Sequence, residues 1–315
     1  MIITVAPFPS VEYIYDVDFL EPNCETSSND VSLNILSKGI HSAQMIKVLQ
    51  DEPMLIGMLG GAAGKYIKHC LDKSRIKADI IWTDAETPHK MKIQLNGSDT
   101  YYLLKSNQTY DFSKEISKLN QKLKTHIKKV STLVLAGYMP RGINPAIYKE
   151  WIREGKLHNV KTLVCTGQEE VLEYAMQEMP YALMFTKHQL RELKIATDSK
   201  EEMIKALMPY IEQGVHYVGV YLKDEGALML SKNKVCFIEP PMHIKMQSNT
   251  ASSGAFLGTF AIGINRKYEQ EKFSKMCLAT SLVAKGNVDQ PICSKKEVDL
   301  LAKKIKIKEI DLSLF

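Results

Sequence analysis

The sequence has little glycine and none of the short signatures of several common enzyme classes. Glycine accounts for 17 of 315 residues, below the roughly 7% of an average protein. The patterns GxGxxG, HExxH and GxSxG are absent, which argues against common dinucleotide-binding, zinc-protease and hydrolase sites. The six cysteines are widely separated and form no CxxC pair. This spacing favours thiols in the protein core and a reducing, cytoplasmic setting over disulfides or a cysteine metal site.

Long apolar runs are also missing. The most apolar stretch, residues 255–264, is interrupted by glycine and threonine and is too short to cross a bilayer. The opening MIITVAPFPS lacks a basic n-region, so neither a membrane span nor a signal peptide is expected. Lys and Arg number 41 against 36 Asp and Glu, a formal charge of +5. The positive charge is dispersed, and its densest group, at 295–308, predicts a solvated helix face and no nucleic-acid partner.

Short β-branched and aromatic runs alternate with helical patterns along the chain. Strands are predicted at residues 1–5, 54–58, 78–83, 132–136, 161–165 and 216–222. One helix is predicted from Phe112, and another from Ser199, which has Glu202 in capping-box spacing and is expected to bend at Pro209. This alternation predicts a mostly parallel sheet covered on both faces, with ligands at the carboxyl ends of its strands.

Two regions depart from this rhythm. Residues 11–17 and 90–105 alternate as strands do, but no helix accompanies them, so we expect them to pair outside the main sheet as a small β lid. No linker rich in proline, glycine or serine divides the chain. We therefore expect one domain over residues 1–315, with lid segments at about 11–36 and 87–108.

A glycine-rich segment, LGGAAGK, fails the test for a phosphate loop. That loop needs a glycine five residues before its Gly-Lys pair and a serine or threonine after it, but Leu59 and Tyr66 occupy those places. We interpret Gly60, Gly61 and Gly64 as the turn from a strand into a helix.

Two cations stand where a phosphate could bind. Lys38 comes just before a predicted helix, whose first amides attract anions, and Arg141 lies on a tight Pro/Gly turn after the strand at 132–136. Each is also consistent with a solvated surface cation when taken alone. Together they form a hypothesis for a phosphate site.

A small-residue segment at 250–254 is predicted to be a loop that leads into an apolar helix. Such a loop presents backbone amides that can hold an anion. No Asp or Glu occurs between Glu239 and Glu269. The segment is therefore suited to hold negative charge but not to accept a proton.

Taken in order, these motifs resemble the PfkB (ribokinase-like) carbohydrate kinases, most closely the 1-phosphofructokinase and tagatose-6-phosphate kinase branch. The opening MIITVAPFPSVEYIYDVD resembles that branch's MIYTVTLNPSIDYVVDVD, and LSKGIHSAQMIKVL resembles GGKGINVARVL. IGMLGGAAGKYI is similar to LGFLGGFTGEFI, AGYMPRGINPAIY to SGSLPRGVPPDFY, KDEGALML to GAEGALLV, and NTASSGAFLGTF to NTVGAGDSFVAGF. The resemblance covers nearly the whole chain. It implies a three-layer α/β/α fold with a mostly parallel central sheet and a small β-sheet lid.

The resemblance also implies roles for particular residues. It places Glu12, Lys38, Gly39 and Arg141 on the substrate side, where they would bind a phosphorylated sugar. Gly254 falls at the position of the family's general base, an Asp, when the signature is aligned on its last residue, Phe260. No shift of that alignment restores the base, because the surrounding window contains no carboxylate.

Other positions depart from the family pattern as well. The family's anion-hole positions are occupied here by Ala251, Ser252 and Ser253. The family's nucleotide loop here contains Lys223. An N-x-x-E element that organises magnesium in the family has become Thr186 and Gln189. The remaining departures are at Phe8, Leu36, Ser37 and Tyr221.

Three functions stay open at this stage. The resemblance and its departures favour a pseudokinase that keeps phosphosugar binding but whose ATP-dependent transfer is lost or severely impaired. The first alternative is an active sugar-phosphate kinase that uses MgATP and a non-standard base such as Glu12 or Asp224.

The second alternative is a scaffold or regulatory protein without catalysis. In its extreme form, bulky side chains fill both the substrate pocket and the nucleotide pocket, and no small molecule binds. The side chains that could fill them are Phe8, Tyr138, Phe185 and Tyr221. The resemblance further implies a homodimer formed through the lid.

Overall fold

The computed structural model describes residues 1–106, 110–241, 249–285 and 292–311. Within them the strands are β1 Ile2–Ala6, β2 Ser10–Val17, β3 Asp30–Leu36, β4 Pro53–Leu59, β5 Lys77–Trp82, β6 His89–Leu95, β7 Tyr101–Lys105, β8 Thr132–Ala136, β9 Lys161–Cys165, β10 Ala182–Thr186, β11 Tyr217–Tyr221, β12 Ala227–Leu230, β13 Val235–Glu239 and β14 Lys306–Ile310. The helices are α1 Lys38–Val48, α2 Gly61–Lys73, α3 Ser113–Ile127, α4 Ile147–Leu157, α5 Glu169–Met176, α6 Lys187–Glu192, α7 Lys200–Glu212, α8 Asn249–Asn265, α9 Gln270–Val283 and α10 Lys295–Ala302, with a 3₁₀ turn at Lys223–Glu225.

The main sheet has ten strands in the order β14-β13-β12-β11-β10-β9-β8-β1-β4-β5. From β11 to β5 all neighbouring strands are parallel, and β11 to β14 form an antiparallel extension. All six strands predicted from the sequence lie in this sheet, each within one residue of the predicted ends. The mostly parallel sheet is confirmed.

Helices cover both faces of the main sheet. Along β8, Leu133 and Leu135 belong to the core shared with α3, α4 and α7, whereas Val134 and Ala136 belong to the core shared with α1, α8 and α9. Successive side chains of a strand point to opposite faces, so one apolar strand supplies two cores. The expected three-layer α/β/α fold is confirmed.

The lid segments form a second sheet of four strands in the order β3-β2-β6-β7. Strand β2 runs antiparallel to β3 and parallel to β6, and β6 runs antiparallel to β7. The small β-sheet lid is thus present, although positions 107 and 108 of the expected second segment lie outside the described residues. The single-domain organisation stays a prediction.

Two segments differ from their expected form. Residues 250–254, expected as a loop, belong to α8, which begins at Asn249. The segment has no proline to end a helix, and its small residues fit against α1. The basic segment 295–308 was expected as one helix face. Only α10 is helical, and the rest enters β14 at the edge of the main sheet.

The predicted helix starts are accurate. Helix α3 begins directly after Phe112, and Ser199 caps α7 by accepting a hydrogen bond from the backbone N–H of Glu202 at 3.1 Å. Pro209 lies inside α7, which continues to Glu212.

Five of the six cysteines are buried, as the expected core thiols require, but Cys24 is exposed. A search of the described residues for a helix with the length and apolar character of a membrane span finds none.

The cap of α7 gives a first prediction. Replacing Ser199 by alanine removes the acceptor for the Glu202 amide, so Ser199→Ala should lower the free energy of unfolding by about 1 kcal/mol. The matched control is Ser117→Ala within α3, where the hydroxyl bonds only to the Ser113 carbonyl of the preceding turn and the change should stay within about 0.5 kcal/mol. Urea unfolding of both variants measures the difference, and equal losses would contradict the role of the cap.

Candidate functional site

Lys38 is the first residue of α1 and stands at the carboxyl end of β1. The Ser37 hydroxyl caps this helix by accepting a hydrogen bond from the Ile40 N–H at 3.3 Å. A side chain at Gly39 would come within 2.9 Å of the Ala6 Cβ. Glycine at this position therefore lets the helix start lie directly against the end of β1, which fixes the position of the Lys38 backbone.

Arg141 lies on the loop that follows β8, the neighbour of β1 in the sheet. The loop turns at Gly137 and Gly142, whose φ angles of 122° and 92° favour glycine. Its middle is clamped by Gln168: the Met139 N–H donates to Oε1 at 2.6 Å, and Nε2 donates to the Met139 carbonyl at 3.2 Å. These restraints hold the exposed Arg141 side chain on a defined loop.

The lid turns a polar face toward that loop. Glu12 of β2 lies opposite Asn34 of β3 on one side and Lys90 of β6 on the other, and Lys90 lies opposite Lys105 of β7. The Lys105 ammonium stands 5.1 Å from the centre of the Tyr138 ring. Glu12 is therefore on the lid face directed at the loop that carries Arg141.

The start of α8 is closed. Ala251, Ser252 and Ser253 are buried, and a side chain at Gly254 would overlap the His41 Cβ and come within 3.0 Å of the Lys38 carbonyl oxygen. Helix α8 thus rests on α1 at the position that the resemblance gave to the base. None of these four residues can accept a proton from a substrate hydroxyl.

Tyr221 packs against the same turn of α8. Its hydroxyl lies beside that of Ser252, and its ring centre is 5.7 Å from that of Phe256. Burial raises the pKa of the Tyr221 hydroxyl well above its ordinary value, an effect that the Ser252 hydroxyl partly opposes. A neutral, buried aromatic side chain occupies the space between β11 and α8.

The pair Thr186 and Gln189 is used as a helix cap. The Thr186 hydroxyl accepts from the Gln189 N–H at 3.3 Å, and the Gln189 Oε1 accepts from the Thr186 N–H at 3.0 Å. Both side chains are neutral, and the Gln189 amide is buried. Mg²⁺ prefers carboxylate oxygens, so these residues are poorly suited to organise it.

Lys223 lies in the left-handed region of backbone conformation, with φ 58°. The family's glycine at this position is suited to such a backbone. The chain keeps the turn and adds an exposed lysine side chain to it.

His41 is a buried residue of the site that sequence reasoning did not single out. Its ring Nε2–H donates to the Ile35 carbonyl at 2.9 Å, and Nδ1 bonds the side-chain amide of Gln44 at 2.8 Å. Burial lowers the pKa of the imidazole. Both ring nitrogens are thus engaged, and His41 does not take over the role of the missing base.

The glycine-rich turn before α2 carries its own anion. The Glu86 carboxylate accepts a hydrogen bond from the Ala63 N–H at 3.1 Å and covers the Cα of Gly61, where a side chain would overlap it. Helix α2 begins directly after β4 through Gly60. This geometry agrees with the interpretation of the turn as a strand-to-helix connection.

The bulky residues expected to fill the pockets behave differently from one another. Phe8 packs on Phe112 with ring centres 5.1 Å apart, and Phe185 is fully buried in the core. Tyr138 is 59% exposed, so the expectation that it fills a pocket is wrong. Its position beside Lys105 leaves the loop surface open.

Comparison with known proteins identifies the family. The model of the pfkB family carbohydrate kinases matches residues 12–294. A 1-phosphofructokinase of Borreliella burgdorferi is 26% identical over 98% of this chain and 99% of its own length. A tagatose-6-phosphate kinase of Staphylococcus epidermidis is 24% identical over 98% of this chain and all of its own length. The tetrameric inhibited form of phosphofructokinase-2 from Escherichia coli matches 96% of this chain and 98% of its own, with a TM-score of 0.81 and 18% identity.

The chain therefore belongs to the PfkB family of carbohydrate kinases. Its fold and its two sheets are those expected from the resemblance.

The strained backbone of Lys223 gives a second prediction. Glycine relieves the left-handed conformation, so Lys223→Gly should raise the free energy of unfolding by about 0.5–1 kcal/mol. Lys232→Gly is the matched control. Lys232 is an exposed lysine that is not among the residues with positive φ, so glycine there should be neutral or destabilising. Denaturant unfolding compares the two, and a loss of stability in Lys223→Gly would overturn the assignment of strain.

The contact of α8 with α1 gives a third prediction. Although alanine is the better helix former by about 1 kcal/mol, Gly254→Ala should destabilise the protein by about 1–2 kcal/mol, because its Cβ forces the helices apart. Ser253→Ala, one residue earlier, adds no Cβ and should cost less. Thermal unfolding ranks the two, and a more stable Gly254→Ala would refute the close contact.

A side chain at Gly254 also affects any attempt to restore the base. Because the Asp side chain would overlap His41, an inactive Gly254→Asp variant would not by itself prove that other catalytic groups are missing.

Proposed function

We propose that this protein binds a phosphorylated sugar and that its ATP-dependent phosphoryl transfer is lost or severely impaired. The observation that carries the proposal is the start of α8, where Ala251, Ser252 and Ser253 are buried and no carboxylate occurs. In a kinase of this family that helix start would have to reach the transferring phosphoryl group.

The cost of these losses to catalysis is large. A positioned general base contributes about 10²- to 10⁴-fold to the rate. Phosphoryl transfer otherwise depends on positioning and on electrostatic stabilisation of the transferred group. With the base absent and the start of α8 buried, transfer should be slow even if both substrates bind.

The residues on the nucleotide side do not fit MgATP. Tyr221 occupies the space beside Ser252, and Lys223 adds a side chain to the turn at which the family has glycine. Thr186 and Gln189 are neutral and bonded to each other. Over the described ranges no group of three or more His, Cys, Asp or Glu side chains could hold a metal ion.

The substrate side, in contrast, keeps its charges. Lys38 stands at a helix start, Arg141 is exposed on a clamped loop, and Glu12 lies on the lid face turned to that loop. Cations at a helix start and on a rigid loop suit a phosphate, and a carboxylate suits sugar hydroxyls. The names of the relatives make fructose 1-phosphate and tagatose 6-phosphate the first ligands to test.

The uncovered part of the apolar lid face supports the proposal of a homodimer. Opposite to the Glu12 face, Tyr13 and Leu33 pack against the core beside α2. The side chains of that face that lie beyond this contact and are only partly covered or exposed are Tyr15, Val31, Met91, Ile93, Tyr102 and Leu104. A contiguous apolar face of this kind marks an interaction surface, and a second lid is its self-complementary partner. We place the dimer in the cytoplasm and assign it no membrane or nucleic-acid partner.

Thermal-shift titration tests the proposed function. Fructose 1-phosphate or tagatose 6-phosphate at 100 times its dissociation constant should stabilise the protein by about 2.7 kcal/mol, and MgATP should leave the midpoint unchanged. Lys38→Ala and Arg141→Ala should each weaken the phosphosugar effect. Lys295→Ala on α10, whose ammonium pairs with Asp299, is the control and should not.

The outcomes separate the three candidate functions. Stabilisation by MgATP followed by turnover in a coupled assay would contradict the loss of transfer and favour a kinase with a base such as Glu12 or Asp224. Stabilisation by neither ligand would favour a scaffold or regulatory role.

A further inference from the structure

We infer that Asn96 is a site of spontaneous deamidation, and that its conversion to a carboxylate releases the ends of the lid strands from one another. The inference assigns a covalent modification site to the lid. It does not depend on the proposed binding of a phosphosugar.

The first observation is the Asn-Gly pair at the end of β6. Asn96 and Gly97 begin the turn between β6 and β7, and no other asparagine of the chain is followed by glycine. Both residues are exposed. Gly97 has φ 68°, and no described atom lies within 4 Å of the place that a Cβ would occupy there. Because glycine lets other groups approach the main chain closely, the Asn96 side chain has room to fold back onto the Gly97 nitrogen.

The second observation is the state of that nitrogen. Over the described residues the Gly97 N–H makes no hydrogen bond. On either side of it, the Asn96 N–H donates to the Val17 carbonyl at 2.8 Å, and the Thr100 N–H donates to the Ser98 hydroxyl at 2.9 Å. The turn is thus held at both ends, while the attacking nitrogen has no bond to give up.

The reaction needs only water. The Gly97 nitrogen loses its proton and attacks Cγ of Asn96. The new C–N bond closes a succinimide ring, and the Cγ–Nδ2 bond breaks as its electron pair and a proton leave with the nitrogen as ammonia. Water then adds to either ring carbonyl and cleaves its bond to the ring nitrogen. Cleavage at Cγ gives aspartate, and cleavage at the main-chain carbonyl gives isoaspartate.

The third observation is the contact that the intact side chain makes. Nδ2 of Asn96 donates to Oδ1 of Asp18 at 2.9 Å, and Nδ2 of Asn29 donates to the same oxygen at 2.9 Å. Asp18 follows β2, Asn29 precedes β3 and Asn96 follows β6, so one carboxylate joins three strand ends. The two amide bonds hold the pKa of the Asp18 carboxyl below its ordinary value, so this carboxylate is charged at neutral pH.

Deamidation turns this attraction into a repulsion. A carboxylate at position 96 has no proton to donate, and it faces the charged Asp18 oxygen at hydrogen-bond distance. The isoaspartate product also lengthens the main chain, which disturbs the bond from the Asn96 N–H to the Val17 carbonyl. The β6–β7 turn therefore separates from the connection between β2 and β3.

Peptide mass spectrometry of the full chain, incubated at mildly alkaline pH, tests the modification. The Asn96 peptide should convert to aspartate and isoaspartate forms at least about tenfold faster than the Asn233 peptide, because the residue after Asn233 has a Cβ that hinders the attack. Asn233 is the matched internal control, since it is exposed in the turn between β12 and β13 and is followed by Lys234. Equal conversion of the two peptides would refute Asn96 as a preferred site.

Hydrogen exchange tests the consequence for the lid. In Asn96→Asp, which is the aspartate product, the lid amides next to Asp18 and Asn96 should exchange about three- to tenfold faster than in the wild type, as the loss of a hydrogen bond to a charged group implies. Asn233→Asp is the control and should leave the lid unchanged. The double variant Asp18→Asn/Asn96→Asp exchanges donor and acceptor and should restore the wild-type rates. Wild-type exchange in Asn96→Asp, or no recovery in the double variant, would overturn the release of the strand ends.

Discussion

The close contact between α1 and α8 constrains every other part of the site. The helices touch at two glycines. A side chain at Gly254 would overlap the His41 Cβ, and a side chain at Gly258 would overlap the Ser42 carbonyl oxygen. Such packing requires glycine. The protein interior is densely filled, so any larger residue would push the two buried helices apart. Lys38 at the start of α1 and the buried start of α8 are therefore fixed relative to each other, and the proposed substrate and nucleotide sides meet at this junction.

The two sides of that junction have different physical characters. The proposed substrate side has a half-buried Lys38 and an exposed Arg141 on backbone that glycines shape, at Gly39 and Gly142. On the proposed nucleotide side, Tyr221 is buried against Phe256, and the Thr186 and Gln189 side chains complete a helix cap. These replacements contribute packing and helix stability where charge and open backbone would serve catalysis.

Apolar runs were sufficient to predict six of the ten strands of the main sheet and the two lid segments, because burial on both faces or on one leaves a direct pattern in the sequence. The helical form of 250–254 could not be predicted, since it depends on the contact of Gly254 with α1. The position of Tyr138 and the two bonds of His41 likewise come from tertiary packing. The lid register, which sets Lys90 opposite Lys105, is not encoded by alternation alone, because a shift of two residues preserves the same faces.

Alternation in the lid strands gives the lid sheet two different faces. One face carries Glu12, Lys90 and Lys105, and the opposite face is apolar, with Leu104 and Tyr102 exposed at the β7 edge. In the proposed dimer, covering the apolar edge would hold β6 and β7 in register. The Glu12 face would thereby keep its position beside the Arg141 loop, whereas a lid with both faces in water would have less to keep its edge strand in place.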